Sequence, residues 1–305
     1  IHRKPVKRMQ NFIARPFHQF VKKAAICGIA LLMLGCSAAR LGYSNGETIS
    51  YWWLDSYVDF DSSQKQWVKQ RIDKVFAWHR KTQLKEYVQM INRMQHRDFG
   101  AVTQVDLLGD YRDATSKVLE ITDKAAPDFA DLALSLTAEQ IANIEKKFAK
   151  NNDKFRKEYL VGSTEERQEF RYRKALQQAQ YWFGGFSREQ EAGIRSLSDA
   201  RPLNNELLMA ERMHRQQALI DLLKKIQTEK PSREATVAMV KKYVNATVDR
   251  FGNPQHKAFF EQSNAANAHM VAGIMQMATP KQKTYFVQTL QDWVNDFSKL
   301  AAKAV

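Results

Sequence analysis

Apolar residues recur at every third or fourth position along most of the chain, and no segment shows sustained period-two alternation. The spans 64–95, 203–227 and 280–301 carry this pattern most clearly. Such spacing puts the apolar side chains on one face of an α-helix. The pattern therefore predicts an all-α protein, folded as an elongated antiparallel helical bundle.

Four segments have the form of a capping box, in which a side-chain oxygen at the N-cap precedes a glutamine by three positions. The first side chain accepts a hydrogen bond from a helix N–H, and the glutamine reaches back to the N–H of the N-cap residue. Each box predicts a helix start, and their recurrence indicates a repeated unit. They are Asp61–Gln64, Thr137–Gln140, Ser187–Gln190 and Thr279–Gln282.

A second similarity supports this repetition, because residues 78–88 and 213–223 share a His-Arg pair followed by apolar residues at the same spacing. We therefore predict a tandem duplication, with a first helical half at 61–160, a connecting helix at 161–186 and a second half at 187–305. Chance similarity between helical sequences is the alternative. The predicted breaks within and between the halves are Asn152, Gly162 and the pair Gly184-Gly185.

The first 35 residues have the pattern of a signal peptide: a basic region, a short uncharged apolar run from Ala24, and a small residue before Cys36. The end of the run resembles a bacterial lipobox, which implies that Cys36 carries lipid, including palmitate, and becomes the mature N-terminus. Ser37 after it favours the outer membrane, with the domain facing the periplasm. Met9 is a candidate start. The alternative is an ordinary signal peptide with a coincidental cysteine. In the lipoprotein interpretation, residues 36–60 comprise the lipidated cysteine, a tether and an aromatic segment.

Removal of this leader changes the charge and the cysteine count. Seven of the 47 Lys and Arg residues lie in it and none of the 33 acids, so the formal charge falls from +14 to +7. Cys27 is removed and Cys36 is acylated, which excludes disulfides and thiolate ligands. Export also excludes nucleic acid as a partner. The remaining basic residues cluster at 146–174, mixed with acids, which is typical of a salt-bridged surface and would also suit an anionic lipid headgroup.

Few residues indicate chemistry, since the chain has no phosphate-binding loop, nucleophile elbow or metalloprotease motif. We expect no enzyme activity and no metal or other cofactor. His269 with Met270, Met275 and Met277 would suit a soft metal, but core packing explains them better. Acidic residues interspersed with aromatic residues near the start of the predicted bundle would suit a sugar-binding site. They would equally form a solvent-exposed acidic edge beside aromatic rings that pack on the bundle. The candidate binding residues are Trp52, Trp53, Asp55, Tyr57, Asp59, His79, Arg80, His214 and Arg215.

The histidines have two interpretations. His79-Arg80 and His214-Arg215 would form a paired site that holds an anion, or a duplicated packing motif in which each imidazole bonds a backbone group or a carboxylate at a helix crossing. The second interpretation is the one that we favour.

The block Trp52-Trp53-Leu54-Asp55, with Trp78-His79-Arg80 and Cys36-Ser37, resembles an uncharacterised family of proteobacterial outer-membrane lipoproteins. The resemblance implies a location and a helical build, and no activity. Leu136-Thr137-Ala138-Glu139-Gln140 is similar to the Leu-Thr-x-x-Gln motif of periplasmic stress chaperones, which cradle unfolded clients.

The first hypothesis is therefore a non-enzymatic outer-membrane lipoprotein whose helical bundle binds a protein partner or an unfolded client. The alternative is a protein that binds anionic lipid, lipopolysaccharide or another envelope polymer through a basic helical face.

Overall fold

The computed structural model describes residues 42–302, so the predicted leader and Cys36 lie outside the described residues. Within this range the chain forms ten α-helices, one 3-10 helix at Arg250–Gly252 and no strand, which confirms the all-α bundle. None of these helices is both long and apolar enough to cross a bilayer. The helices are α1 Gly46–Val58, α2 Ser62–Gln95, α3 Gln104–Ser135, α4 Ala138–Tyr159, α5 Thr164–Phe183, α6 Arg188–Asp199, α7 Asn205–Glu229, α8 Arg233–Val248, α9 Pro254–Gln276 and α10 Pro280–Ala302.

Three clusters of buried side chains hold these helices together, and the smallest packs α3 against α8 around Ala130 and Val240. The first joins α1, the start of α2, the end of α3, α4 and α7, with Phe60 and Ile226 at its centre. The second joins α5, α6, α9, the start of α10 and the turn after α2, with Ile194 and Leu290 at its centre. Helix α2 also packs along α10, and α4 packs along α7.

All four predicted capping boxes are confirmed. In the box that starts α4, the N–H of Gln140 donates to Thr137 Oγ1 at 3.2 Å, and the N–H of Thr137 donates to Gln140 Oε1 at 3.1 Å. The box that starts α10 repeats this pattern between Thr279 and Gln282, at 3.3 and 2.8 Å.

The capping glutamines also bond to each other, which the sequence does not reveal. Gln64 Nε2 donates to Gln140 Oε1 at 3.2 Å, and Gln140 Nε2 donates to Gln64 Oε1 at 2.6 Å. The same two amides reach backbone carbonyls just before the opposite helix: Gln64 reaches Ser135 O at 3.4 Å, and Gln140 reaches Asp59 O at 3.3 Å. The pair therefore joins the starts of α2 and α4 directly.

A second pair repeats this arrangement at the starts of α6 and α10. Gln190 Nε2 donates to Gln282 Oε1 at 2.8 Å, and Gln282 Nε2 donates to Gln190 Oε1 at 3.1 Å. Gln190 also reaches Met277 O at 3.0 Å, and Gln282 reaches Gly185 O at 2.7 Å. In both pairs the carbonyl that is reached lies two residues before the opposite N-cap.

One predicted break is wrong. Asn152 lies inside α4, where it is buried, because its amide is satisfied by α7: Nδ2 donates to Gln216 Oε1 at 2.7 Å, and Oδ1 accepts from Arg212 Nε at 2.8 Å. The breaks at Gly162 and Gly184 are confirmed. Both have positive φ angles, of 89° and 77°, which glycine adopts without steric strain.

The glutamine pairs predict a stability effect larger than that of a cap alone. Gln140→Ala leaves the buried amide of Gln64 and the carbonyl of Asp59 without their partner, so we expect a loss of about 2–4 kcal/mol of unfolding free energy. Urea unfolding followed by circular dichroism measures it. Glu166→Ala is the control, because Glu166 closes the box of α5 with Ser163 and, among the described residues, forms no bond to another helix; its loss costs about 1 kcal/mol or less. Equal losses in the two variants would contradict the role of the pair.

Candidate functional site

One face of α1 is exposed and carries no charge. Ile49, Trp52 and Trp53 are 50%, 66% and 60% exposed, and Thr48 and Ser56 are the other exposed positions of the helix. Contiguous exposed apolar residues of this kind make the face a candidate interaction site. We call these five residues the tryptophan face.

The acids of α1 point away from the tryptophan face, because each has a partner in the protein. Glu47 pairs with Arg80 at 2.5 Å. Asp55 Oδ1 accepts from the N–H of Phe60 at 3.0 Å, and so fixes the turn after the helix. Asp59 ends α1 with a positive φ angle of 59°, and Asp61 caps α2. The predicted acidic edge thus consists largely of side chains with structural partners.

Tyr57 connects α1 to α4. Its hydroxyl accepts from Asn151 Nδ2 at 2.8 Å, its ring lies 5.7 Å from that of Phe148, and Lys147 Nζ lies 5.4 Å from its centroid. Trp53 lies against the same ring, at 4.9 Å between centroids. The tryptophan face is therefore adjacent to the middle of α4.

Helix α4 presents a row of lysines at this place. They lie four, four and three residues apart, which puts them on one side of the helix, and all are exposed. Among residues 42–302 no carboxylate lies within ion-pair distance of any of them, whereas Arg156 beside them is paired with Asp153 at 2.8 Å. This lysine stripe consists of Lys146, Lys150, Lys154 and Lys157.

The basic region predicted at 146–174 thus has unpaired charge mainly on α4. Further along, Arg167 pairs with Glu206 at 2.7 Å, and Arg173 pairs with Glu169 at 3.7 Å. Arg171 turns inward to two backbone carbonyls.

Residues 56–242 match the model of a family of unknown function, DUF6279. The chain belongs to this family. The matched region of DUF6279 runs from the end of α1 into α8. It contains the lysine stripe and the first glutamine pair, whereas Trp52 and Trp53 precede it. No curated protein and no solved structure matches the chain.

In this DUF6279 member the two His-Arg pairs have different partners. His79 Nε2 hydrogen-bonds the hydroxyl of Tyr87 at 3.1 Å, and Arg80 pairs with Glu47. His214 lies against Phe251, with ring centroids 4.5 Å apart. The two histidines thus have different contacts, and a duplicated packing role for them stays a prediction.

Arg215 belongs to a buried charge cluster that the sequence analysis missed. At its centre is Glu211, which is fully buried and lies 2.6 Å from His256 Nδ1. Arg215 and Arg250 each lie 3.8 Å from Glu211 Oε1. The one available signal was a glutamate placed within the apolar pattern of residues 203–227.

The methionines of residues 270–277 pack in or against the core. Met270 and Met275 are buried in the second core cluster. In the part of the chain that the structure describes, no three His, Cys, Asp or Glu side chains are grouped to hold a metal ion.

The buried charge cluster predicts a large effect of one substitution. Glu211→Ala removes the fully buried carboxylate that Arg215, Arg250 and His256 face, and so leaves the two guanidinium groups without their shared counter-charge. We expect a loss of about 3 kcal/mol of unfolding free energy, measured by urea denaturation. Glu229→Ala is the control on the same helix, because its pairing with Lys225 is exposed and contributes about 0–1 kcal/mol. A loss as small as that of the control would refute the importance of the cluster.

His79 predicts a pH dependence of stability. Burial, and after it the charge of Arg80, lower the pKa of His79 from the ordinary value of 6.5. As the pH is lowered through 6.5, the folded state binds fewer protons than the unfolded chain. The free energy of unfolding therefore decreases as the pH is lowered through this range. We expect His79→Gln to flatten the stability profile between about pH 7 and about pH 5, measured by urea unfolding at each pH. Parallel profiles for the variant and the native chain would rule this out.

Proposed function

We propose that this chain is a proteobacterial lipoprotein without enzyme activity, anchored to the outer membrane through Cys36, whose helical bundle binds the anionic surface of an envelope membrane from the periplasm. The binding surface is the tryptophan face with the lysine stripe. The single observation that carries the proposal is an exposed, uncharged face of α1 with two tryptophans, packed next to the helix α4 that carries a row of unpaired lysines.

The two parts of this surface suit the two layers of a membrane interface. Tryptophan combines a large apolar ring with one N–H donor, and therefore favours the boundary between acyl chains and headgroups. Lysines near an anionic leaflet contribute about 1 kcal/mol each. Because the exposed residues of α1 include no acid, nothing on the tryptophan face opposes contact with phosphate groups.

The predicted anchor supports the same arrangement. Only nine residues separate Cys36 from Gly46, where α1 begins. Ten peptide units span at most about 35 Å, so an acylated Cys36 would keep α1 near the bilayer. Tethering raises the effective concentration of the surface at the membrane, and weak contacts then suffice.

A protein partner or unfolded client, the first hypothesis from the sequence, is the second candidate. The exposed Trp52 and Trp53 favour it, since tryptophan is enriched in the centres of protein interfaces. The lysine stripe favours the membrane, because interface centres are poor in lysine.

The predicted duplication is part of this proposal and is supported by the fold. The two glutamine pairs occupy matching places in the halves 61–160 and 187–305, and the last helix of each half, α4 or α10, packs on α7 or α2 of the other half. In this alignment α6 and α7 correspond to α2, and α8 and α9 to α3. Pro202 and Pro254 lie at the interruptions, where proline is incompatible with a continuous helix.

Photo-cross-linking in cells tests the occupant of this surface. A photoreactive residue is placed at Trp52 or at Lys154 in the full chain with its anchor intact, and we expect adducts with phospholipid or lipopolysaccharide at both positions. A discrete protein adduct at Trp52 would instead establish the partner hypothesis and overturn the membrane proposal.

Vesicle binding tests the charge contribution. The chain with Cys36→Ser is mixed with vesicles of anionic or zwitterionic phospholipid. At low salt, the double variant Lys150→Gln/Lys154→Gln should bind anionic vesicles about 30-fold more weakly than the same chain with both lysines. The control Lys241→Gln/Lys257→Gln changes the net charge equally, but its lysines already pair with Asp123 and Asp249. Binding that is insensitive to salt, or equally weakened by the control, would argue against the lysine stripe.

A further inference from the structure

A separate apolar cleft lies among α5, α9 and the ends of α2, α3, α6 and α10. Its volume is about 520 Å³, within the range of about 300–1,000 Å³ that is typical of small-molecule sites. Its apolar walls include Met94, Leu107, Ala175, Trp182, Met270 and Ile274.

Every charged residue that lines this cleft is a cation. They are Arg97, Arg171, Lys174 and Arg201. Arg97 is already neutralised by a two-bond pair with Asp110, and Lys174 is an exposed side chain at the opening. The two half-buried arginines, Arg171 and Arg201, are therefore the groups that an anion in the cleft would meet.

Arg171 and Arg201 are bonded to neutral groups. Arg171 donates to the backbone carbonyls of Pro202 at 2.7 Å and Arg201 at 3.0 Å. Arg201 donates to Ser198 Oγ and to Asn267 Oδ1, both at 2.9 Å. No carboxylate of residues 42–302 forms an ion pair with either guanidinium, although Asp199 acts on both at longer range.

This arrangement is electrostatically unfavourable without a ligand. Burial, and after it the neighbouring charge of Arg171, lower the pKa of Arg201 to about 10. Burial lowers the pKa of Arg171 as well, and its Nε is buried without a hydrogen-bond partner. Both side chains remain charged at neutral pH, and two like charges in one poorly solvated place favour a bound anion.

The cleft also continues beyond the arginines. A second cleft of about 430 Å³ between α2, α3 and α9 shares Met94, Leu107 and Val271 with the first. The two clefts adjoin along this shared apolar wall, and we call them together the trough. The second cleft is lined mostly by apolar side chains, and its charged residues are paired, Arg93 with Asp113 and Asp110 with Arg97. A ligand that fits the trough has an anionic head and an extended hydrocarbon chain.

We propose that this trough binds a single-chain anionic amphiphile, with its carboxylate or phosphate head on Arg171 and Arg201 and its alkyl chain against Met94, Leu107 and Trp182. Fatty acids and lysophospholipids are the two sources of this chemistry. The site is distinct from the tryptophan face and the lysine stripe, so it does not depend on the proposed membrane contact.

Photolabelling tests the site on the full chain in phosphatidylcholine nanodiscs. The probes are dodecyl phosphate, dodecanoate and uncharged dodecanol, each with a diazirine at the far end of the chain, and the labelled peptides are mapped by mass spectrometry. We expect the anionic probes to label peptides of α2, α3, α5 and α9 about tenfold more than dodecanol does. Preferred labelling by dodecanoate identifies a fatty acid, and preferred labelling by dodecyl phosphate identifies a lysophospholipid.

Matched variants separate a specific head site from apolar binding. Arg171→Gln should reduce anionic labelling about tenfold, whereas Arg173→Gln on the same helix, which is exposed and pairs with Glu169, should leave it unchanged. Ala175→Trp fills the cleft and should abolish labelling by all three probes, with circular dichroism as the check on folding. Equal labelling by dodecanol and the anions, or no labelling of these peptides, would overturn the proposal. Membrane contact through α1 would be unaffected by that result.

Discussion

The reciprocal hydrogen bonds between capping glutamines are the interaction on which the arrangement of the helices depends. A capping box uses only the carbonyl oxygen of its glutamine, and leaves two N–H donors to be satisfied. In the pair Gln64–Gln140 these donors reach the partner amide and a backbone carbonyl at the other helix start. A buried amide that lost its partner would carry an unsatisfied donor, so the two helix starts are held at one spacing.

The two pairs position the two surfaces proposed to bind ligands. The first pair joins the starts of α2 and α4 to the turn after α1, and so holds the tryptophan face beside the lysine stripe. The second joins α6 and α10 to the ends of α5 and α9, through Gly185 O and Met277 O. Helices α5 and α9 provide most of the walls of the cleft, and α10 adds Phe286. A substitution of a capping glutamine should therefore alter the geometry of a binding surface that the glutamine itself does not contact.

The sequence predicted the helices well where the signal was local. The capping boxes, the glycine breaks and the apolar stripe of α2 are all properties of a few neighbouring residues, and all were found. Asn152 was misread because a polar residue in a helix resembles a break until its partners on α7 are known. The pairing of Gln64 with Gln140, and the gathering of Arg250 and His256 around Glu211, depend on tertiary contacts between distant segments.

The two basic regions differ in the physics of their side chains. Lysine is a strongly hydrated point charge on a flexible stem, which suits diffuse attraction to a charged layer in water, and the exposed stripe on α4 consists only of lysine. Arginine is more weakly hydrated, stays charged when buried, and offers a planar fork that matches a carboxylate or a phosphate. The half-buried positions of the cleft, 171 and 201, are arginines. Although both regions attract anions, the lysine stripe is suited to a surface and the cleft to a single molecule.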